Sequence, residues 1–218
     1  MSDMLKAILF DMDGLIFDTE SVYKQSWQYA ATEQNLTISD NFYQQFIGMQ
    51  DPDCEQLLVE YFHGALDIER YRSTRDTHYQ QIRQQGVAMK PGFEALMAFI
   101  KQRSLRAALV TSSSFVDVEF NFLPTVYLNQ FETVVSAEDV TRSKPHPEGY
   151  LKACQRLDLD PNECLVLEDS NNGIRSALAA GCHAVMIPDL IPALPEWQDR
   201  IVQLDNLHQV IDIIDTLA

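Results

Sequence analysis

Short apolar runs that end in polar or acidic residues constrain this chain more than any other feature. Leu5–Phe10, "RAALVT", "FETVVSA", "ECLVLED" and "HAVMI" are strand-length and too short for buried helices. From Lys90 onward they alternate with helical patterns. "KPGFEALMAFIKQRS" opens with Pro91 and Gly92, "PEGYLKACQRL" follows, and "NGIRSALAAG" ends at Gly181. Strands alternating with helices specify an α/β fold, a doubly wound parallel sheet with helices on both faces. From Asp18 to about Gly86 the texture differs. "SVYKQSWQYAATEQN" and "PDCEQLLVEYF" carry apolar residues at helical spacing, and Pro52 suits a first helical turn. Four or so helices and no strand are expected there. The expected layout is an α/β core of residues 1–16 and 88–218, interrupted after its first strand by a helical insert of residues 17–87. Trp27, Tyr29, Phe42 and Phe46 read as the core of that insert, and "PDLIPALPEW" as a structured loop near a sheet edge.

The 218 residues carry a formal charge of −16, which argues against nucleic acid or an anionic membrane as partner, since both require a basic face. A metal or a few local cations can still admit a small anion to one pocket. Cys54, Cys154, Cys164 and Cys182 form no C-x-x-C pair, and the segment before Asp11 is too short for a secretory signal. The expectation is reduced thiols in a soluble cytoplasmic protein that needs to be no more than a monomer. His63, His78, His183 and His208 lie at no metal-ligand spacing, and His146, between two prolines, reads as a loop residue.

Ligands of open parallel sheets bind outside the carboxyl ends of the strands. The first strand delivers Asp11 and Asp13 to that rim, and "RAALV" delivers Thr111, Ser112, Ser113 and Ser114. Glu138, Asp139 and then Lys144 follow "FETVVSA", and "ECLVL" delivers Glu168 and Asp169. Carboxylates cannot gather without a counter-charge, and hard oxygen donors suit Mg²⁺. Hydroxyls and backbone N–H groups at the start of the helix after Thr111 suit phosphate oxygens, and Lys144 adds a positive charge. A carboxylate beside a phosphate site can act as nucleophile, and a second can protonate the leaving group.

In order, these motifs resemble the haloacid dehalogenase superfamily, in its capped phosphatase and β-phosphoglucomutase-like branch. "DMDGLIFDTE" resembles the D-x-D-G motif, "LVTSSS" the strand-end Ser/Thr motif, "SKPHPEGY" the lysine motif, and "LEDSNNGIRSALAAG" the acidic motif. The resemblance implies Asp11 as nucleophile and metal ligand, and Asp13 as acid/base lending its carbonyl to the metal. It implies Thr111 and Ser112 on phosphate, Lys144 stabilising charge, Asp169 on Mg²⁺, and Glu168 there directly or through water. The dehalogenases have an aromatic residue where Asp13 stands, so phosphoryl chemistry is implied. Phosphomutases of the β-phosphoglucomutase type carry a histidine where Tyr23 stands, and an arginine soon after a cap glycine; Gly48 has none after it. Leu15 makes the motif similar to that of hexose-phosphate and 2-deoxyglucose-6-phosphate phosphatases. The expected function is a Mg²⁺-dependent phosphatase for a small phosphorylated metabolite, a sugar phosphate, working through an aspartyl-phosphate. The alternatives are a sugar phosphomutase and, more distantly, a receiver-like phosphoacceptor module. Receivers, however, lack the helical insert and give Asp13 no role.

Overall fold

The computed structural model describes residues 5–46, 51–197 and 199–214. The chain divides into two compact units, residues 1–18 with 88–218, and residues 19–87.

The first unit is built on six strands: β1 (Ala7–Phe10), β2 (Arg106–Val110), β3 (Thr133–Val135), β4 (Cys164–Glu168), β5 (His183–Met186) and β6 (Val202–Gln203). All pair in parallel in the order β3-β2-β1-β4-β5-β6. The chain winds outward from β1 in one direction and then, from β4, in the other, so the switch point lies between β1 and β4. These two strands are buried on both faces, which is why they read as unbroken apolar runs. Alternate residues on one face (Ala7, Leu9, Ala108, Val110, Val166) join Tyr150, Ala153, Cys154 and Leu157 of α7 and Ile174 and Ala177 of α8 in one core. On β1, Phe10 points the other way and packs edge-to-face on Phe93 and Phe131.

The remaining helices of this unit are α5 (Phe93–Gln102), α6 (Phe115–Phe122), α7 (Glu148–Leu157), α8 (Asn171–Ala180) and α9 (His208–Ile213). Gly181 ends α8 with φ 87°, the left-handed conformation that favours glycine. "FETVVSA" is strand only over Thr133–Val135, because Ser136 and Asp139 form a capping box that turns Ala137–Asp139 into a 3₁₀ turn. Neither β6 nor α9 is anticipated from sequence. In "PDLIPALPEW", a loop and a 3₁₀ turn at Pro195–Trp197 precede β6. Asn171 holds the loop by donating to the Pro192 carbonyl (3.2 Å) and accepting from Leu194 N–H (2.9 Å).

The second unit comprises α1 (Thr19–Thr32), α2 (Asp40–Tyr43), α3 (Asp51–Tyr61) and α4 (Ile68–Gln84). Trp27 is its largest buried side chain, flanked by Phe46 and Tyr71, with the Arg75 guanidinium 4.6 Å from its ring centre. Phe42 and Phe46 are buried as expected. Tyr29 is not. It is 40% exposed and stacks at 3.9 Å on His78, which also meets Ser26 Oγ at 3.2 Å. Gly48 lies outside the described residues.

All four cysteines are free and buried, with Cys154 Sγ 3.8 Å from Cys164 Sγ. Among the described residues no helix is long and apolar enough to cross a membrane.

Candidate active site

Strand register assembles the site. Phe10 lies opposite Leu109 of β2 and Leu167 of β4, so the residues just beyond β1 and at the end of β4, Asp11 and Glu168, emerge side by side. The Asp11 amide donates to the Leu167 carbonyl at 3.1 Å, and the Thr111 amide to the Val135 carbonyl at 2.9 Å. Oxygens of Asp11, Glu168 and Asp169 come within 4.8 Å of one another, an all-carboxylate donor set that fits a hard divalent cation such as Mg²⁺.

Lys144 enters from the loop before α7. Its Nζ donates to Asp11 Oδ1 (2.5 Å), Glu168 Oε1 (2.7 Å) and the Val110 carbonyl (2.9 Å), so all three of its protons are used. Burial opposes its charge, but Asp11 and then Glu168 outweigh burial and hold its pKa above the usual lysine value. Asp11 is buried, and that burial lifts its pKa well above the ordinary carboxylate range. Glu168 and Asp13 add to the rise and Lys144 opposes it. Among the described residues, Lys144 is the cation that meets Asp11 and Glu168.

Glu168 has no exposed surface. Besides Lys144, Tyr150 donates its hydroxyl to Oε1 at 2.7 Å and Ser170 donates its hydroxyl to Oε2 at 3.0 Å. Burial, then Glu168 and Asp11, push the Tyr150 pKa far up, so this hydroxyl keeps its proton and remains a donor. In the first turn of α8 Gly173 lies so close beneath Glu168 that a β-carbon would overlap its carboxyl group.

Asp13 faces elsewhere. Its Oδ2 accepts from Ser113 Oγ at 2.6 Å, with Thr111 Oγ1 at 3.4 Å. Met12, between the two acids, is fully buried, and Gly14 takes φ 79° in the turn that follows. Alternation about Met12 therefore gives the two carboxylates different partners. Ser112 is exposed on the same loop.

At the start of α6, several groups already have partners within the chain. Glu138 accepts from Phe115 N–H (3.0 Å), Ser114 Oγ from Asp117 N–H (3.2 Å), and Thr111 Oγ1 from Ser113 N–H (3.0 Å). The protein itself caps the Phe115 and Asp117 amides of this first turn. Asp139 likewise pairs with Arg156, and neither Glu138 nor Asp139 joins the metal-type cluster. His146 accepts from Glu148 N–H at 3.2 Å, a loop role. Ser113, Tyr150, Ser170 and Gly173 carry roles the motifs did not single out. The hydroxyl run after Thr111 and the S-N-N-G after Asp169 are the sequence signals for Ser113, Ser170 and Gly173, and Tyr150 closes "SKPHPEGY".

A parallel sheet with this strand-end constellation defines a hydrolase core, and the chain belongs to the haloacid dehalogenase-like hydrolases, whose family model matches residues 8–187. It is similar to hexitol phosphatase A of Escherichia coli, at 29% identity over 94% of this chain and 93% of that protein. It is also similar to the phosphorylated carbohydrates phosphatase of Thermotoga maritima, at 24% identity over 83% of this chain and 84% of that one. The crystal structure of a β-phosphoglucomutase from Clostridium difficile shares the fold, with a TM-score of 0.71 at 21% identity, covering 98% of this chain and 97% of that one.

Proposed function

We propose that this hydrolase is a Mg²⁺-dependent phosphatase acting on a small phosphorylated metabolite, a sugar phosphate, through an aspartyl-phosphate intermediate. The observation that carries it is the division of labour about Met12: Asp11 sits with Lys144 and the acidic cluster, while Asp13 is turned onto Ser113. Asp11, Asp169 and the Asp13 carbonyl would hold Mg²⁺, with Glu168, already engaged by donors from Lys144, Tyr150 and Ser170, acting through water. The cation, when bound, offsets the charge of carboxylates and phosphate together.

An Asp11 oxygen attacks phosphorus as the ester P–O bond breaks, and Asp13 gives its proton to the departing alkoxide. Asp13, now a carboxylate, takes a proton from water as that water attacks the phosphorus of the acyl-phosphate. Inorganic phosphate leaves and Asp11 is restored. Thr111 and Ser112 hold the phosphoryl oxygens, and Lys144 orients Asp11 and opposes the rise in its pKa. The buried, unpaired cysteines fit a cytoplasmic setting.

The mutase reading is disfavoured at Tyr23. Its hydroxyl donates to Asp51 Oδ2 at 2.5 Å, and burial followed by Asp51 raises its pKa, so it is no proton carrier at neutral pH. The names of the phosphatases similar to this chain support sugar-type substrates. A panel of phosphorylated metabolites assayed with and without Mg²⁺, and with a sugar bisphosphate added, tests the proposal. Phosphate release from hexose or hexitol phosphates, only with Mg²⁺ and without bisphosphate, is expected. Isomerisation that depends on bisphosphate would replace the phosphatase with the mutase.

Asp13→Asn tests the acid separately. It should slow cleavage of an alkyl phosphate by about 10²–10⁴-fold. Formation of the aspartyl-phosphate from p-nitrophenyl phosphate, whose leaving group needs no proton, should slow far less in pre-steady-state bursts. Equal slowing of both would remove Asp13 from the acid role.

A further inference from the structure

Beyond the four motifs, the loop after β5 brings one more carboxylate to the site. Ile187 N–H donates to the Glu168 carbonyl at 2.7 Å, which ties the start of this loop to the end of β4. Two residues on, the Asp189 side chain is only 9% exposed, and its Oδ1 accepts from Lys90 Nζ at 2.6 Å. The same lysine reaches Asp18 Oδ1 at 3.0 Å. The other oxygen, Asp189 Oδ2, is buried and has no hydrogen-bond partner. It lies 3.3 Å from the point where a β-carbon on Gly14 would stand, and that point falls inside the carboxylate of Asp169. Gly14 is thus the gap across which Asp189 and Asp169 approach each other, and Asp169 is shared with the Asp11–Glu168 cluster.

A buried carboxylate oxygen without a donor, with a second carboxylate on the other side of Gly14, needs positive charge or a proton donor from outside the chain. Lys90 Nζ meets Oδ1 and Asp18, and no hydrogen bond reaches Oδ2 from it. Metal-bound water is a strong donor, and carboxylates beyond the direct ligands tune metal affinity by accepting from it. We infer that Asp189 is a positioning residue of the divalent-cation site, its Oδ2 accepting a hydrogen bond from water on the cation beside Asp169. This rests on the Mg²⁺ reading above and adds to it a residue outside the family motifs. Lys90 holds Asp189 in place, and the absence of a side chain at Gly14 keeps the path open.

Isothermal titration calorimetry with MgCl₂ on the purified full chain, free of substrate, tests this without recourse to activity. Asp189→Asn should weaken the Mg²⁺ dissociation constant by about tenfold or more. Asp18→Asn, which perturbs the same lysine contact but whose side chain is not among the nearest neighbours of the Gly14 β-carbon position, should stay within twofold of wild type. Far-UV circular dichroism checks folding, and if Asp189→Asn does not fold, Asp189→Ser is read by the same criteria. An Asp189 variant within twofold of wild type overturns the inference and leaves the phosphatase proposal standing. Equal weakening in the Asp189 and Asp18 variants also overturns it, since the effect would then belong to the Lys90 clamp. Wild-type protein that binds no Mg²⁺ removes both the inference and the metal dependence on which it rests.

Discussion

Asp11→Asn is expected to lower turnover by a factor on the order of 10⁴ or more, while the folded protein, assayed without divalent cation, becomes more stable. The first effect follows from replacing the nucleophile by an amide that cannot form the acyl-phosphate. The second follows from electrostatics. Burial, with Glu168 and Asp13 adding to it, raises the Asp11 pKa despite Lys144. The folded state therefore holds the Asp11 proton over a pH range in which the unfolded chain has released it. Between the unfolded carboxyl pKa, about 4, and the raised folded value, wild-type stability falls as pH rises. The amide does not titrate, so the variant escapes this loss. Lys144 keeps two partners, Glu168 and the Val110 carbonyl. Urea midpoints at pH 5 and pH 7.5, with chelator present, should show the variant's advantage growing with pH. A variant that keeps substantial turnover would remove Asp11 as nucleophile. A variant less stable than wild type at pH 7.5 would mean that the Asp11–Lys144 pair outweighs the acidic crowding.

These two effects come from one residue whose position was readable in advance, and the reason is strand register. β1 and β4 are buried on both faces and so appear as unbroken apolar runs, and in a parallel sheet the next residue must emerge at the carboxyl rim. Asp11, Thr111 and Glu168 are all of this kind. Lys144 is visible for a weaker reason, as a cation in a loop that must return over the same rim.

What the sequence conceals depends on tertiary approach. Ser113 is one hydroxyl of a run, and nothing local says that it, and not Ser112, meets Asp13. Tyr150 lies on the buried face of α7, where an aromatic residue reads as core, yet its hydroxyl holds Glu168. Asp189 sits among prolines with no motif to mark it. Tyr29 is two residues from Trp27 and shares its apolar character, but on a helix that spacing turns it off the buried face and onto His78. β6 has two residues, one half-buried and one exposed, so it carries no alternation to detect.

Lys144→Met should cost about 3–5 kcal/mol of folding stability near neutral pH, the penalty for stranding buried carboxylates. Methionine fills a similar volume, so packing loss is small beside the lost charge. Lys144 serves Asp11, Glu168 and the Val110 carbonyl at once, with its side chain 10% exposed and that of Glu168 fully buried. Tyr150 and Ser170 still donate to Glu168 in the variant, but neither carries charge. Wild-type Lys144 has a folded pKa above its usual value, so its contribution is complete below the unfolded lysine pKa, about 10.4, and is lost only as pH rises through the folded one. The variant behaves oppositely. Asp11, already raised, loses the cation that opposed the rise, so the variant's stability falls as pH climbs through and above the carboxyl range. The deficit relative to wild type should therefore be larger at pH 8 than at pH 5, and saturating Mg²⁺ should recover part of it by supplying the missing charge. Turnover should fall by a factor on the order of 10²–10³ even where the variant is folded. Chemical denaturation at both pH values, with and without Mg²⁺, measures all but the last. A deficit below about 1 kcal/mol that does not change with pH would show that Lys144 is a surface-strength ion pair and not the counter-charge on which the acidic cluster depends.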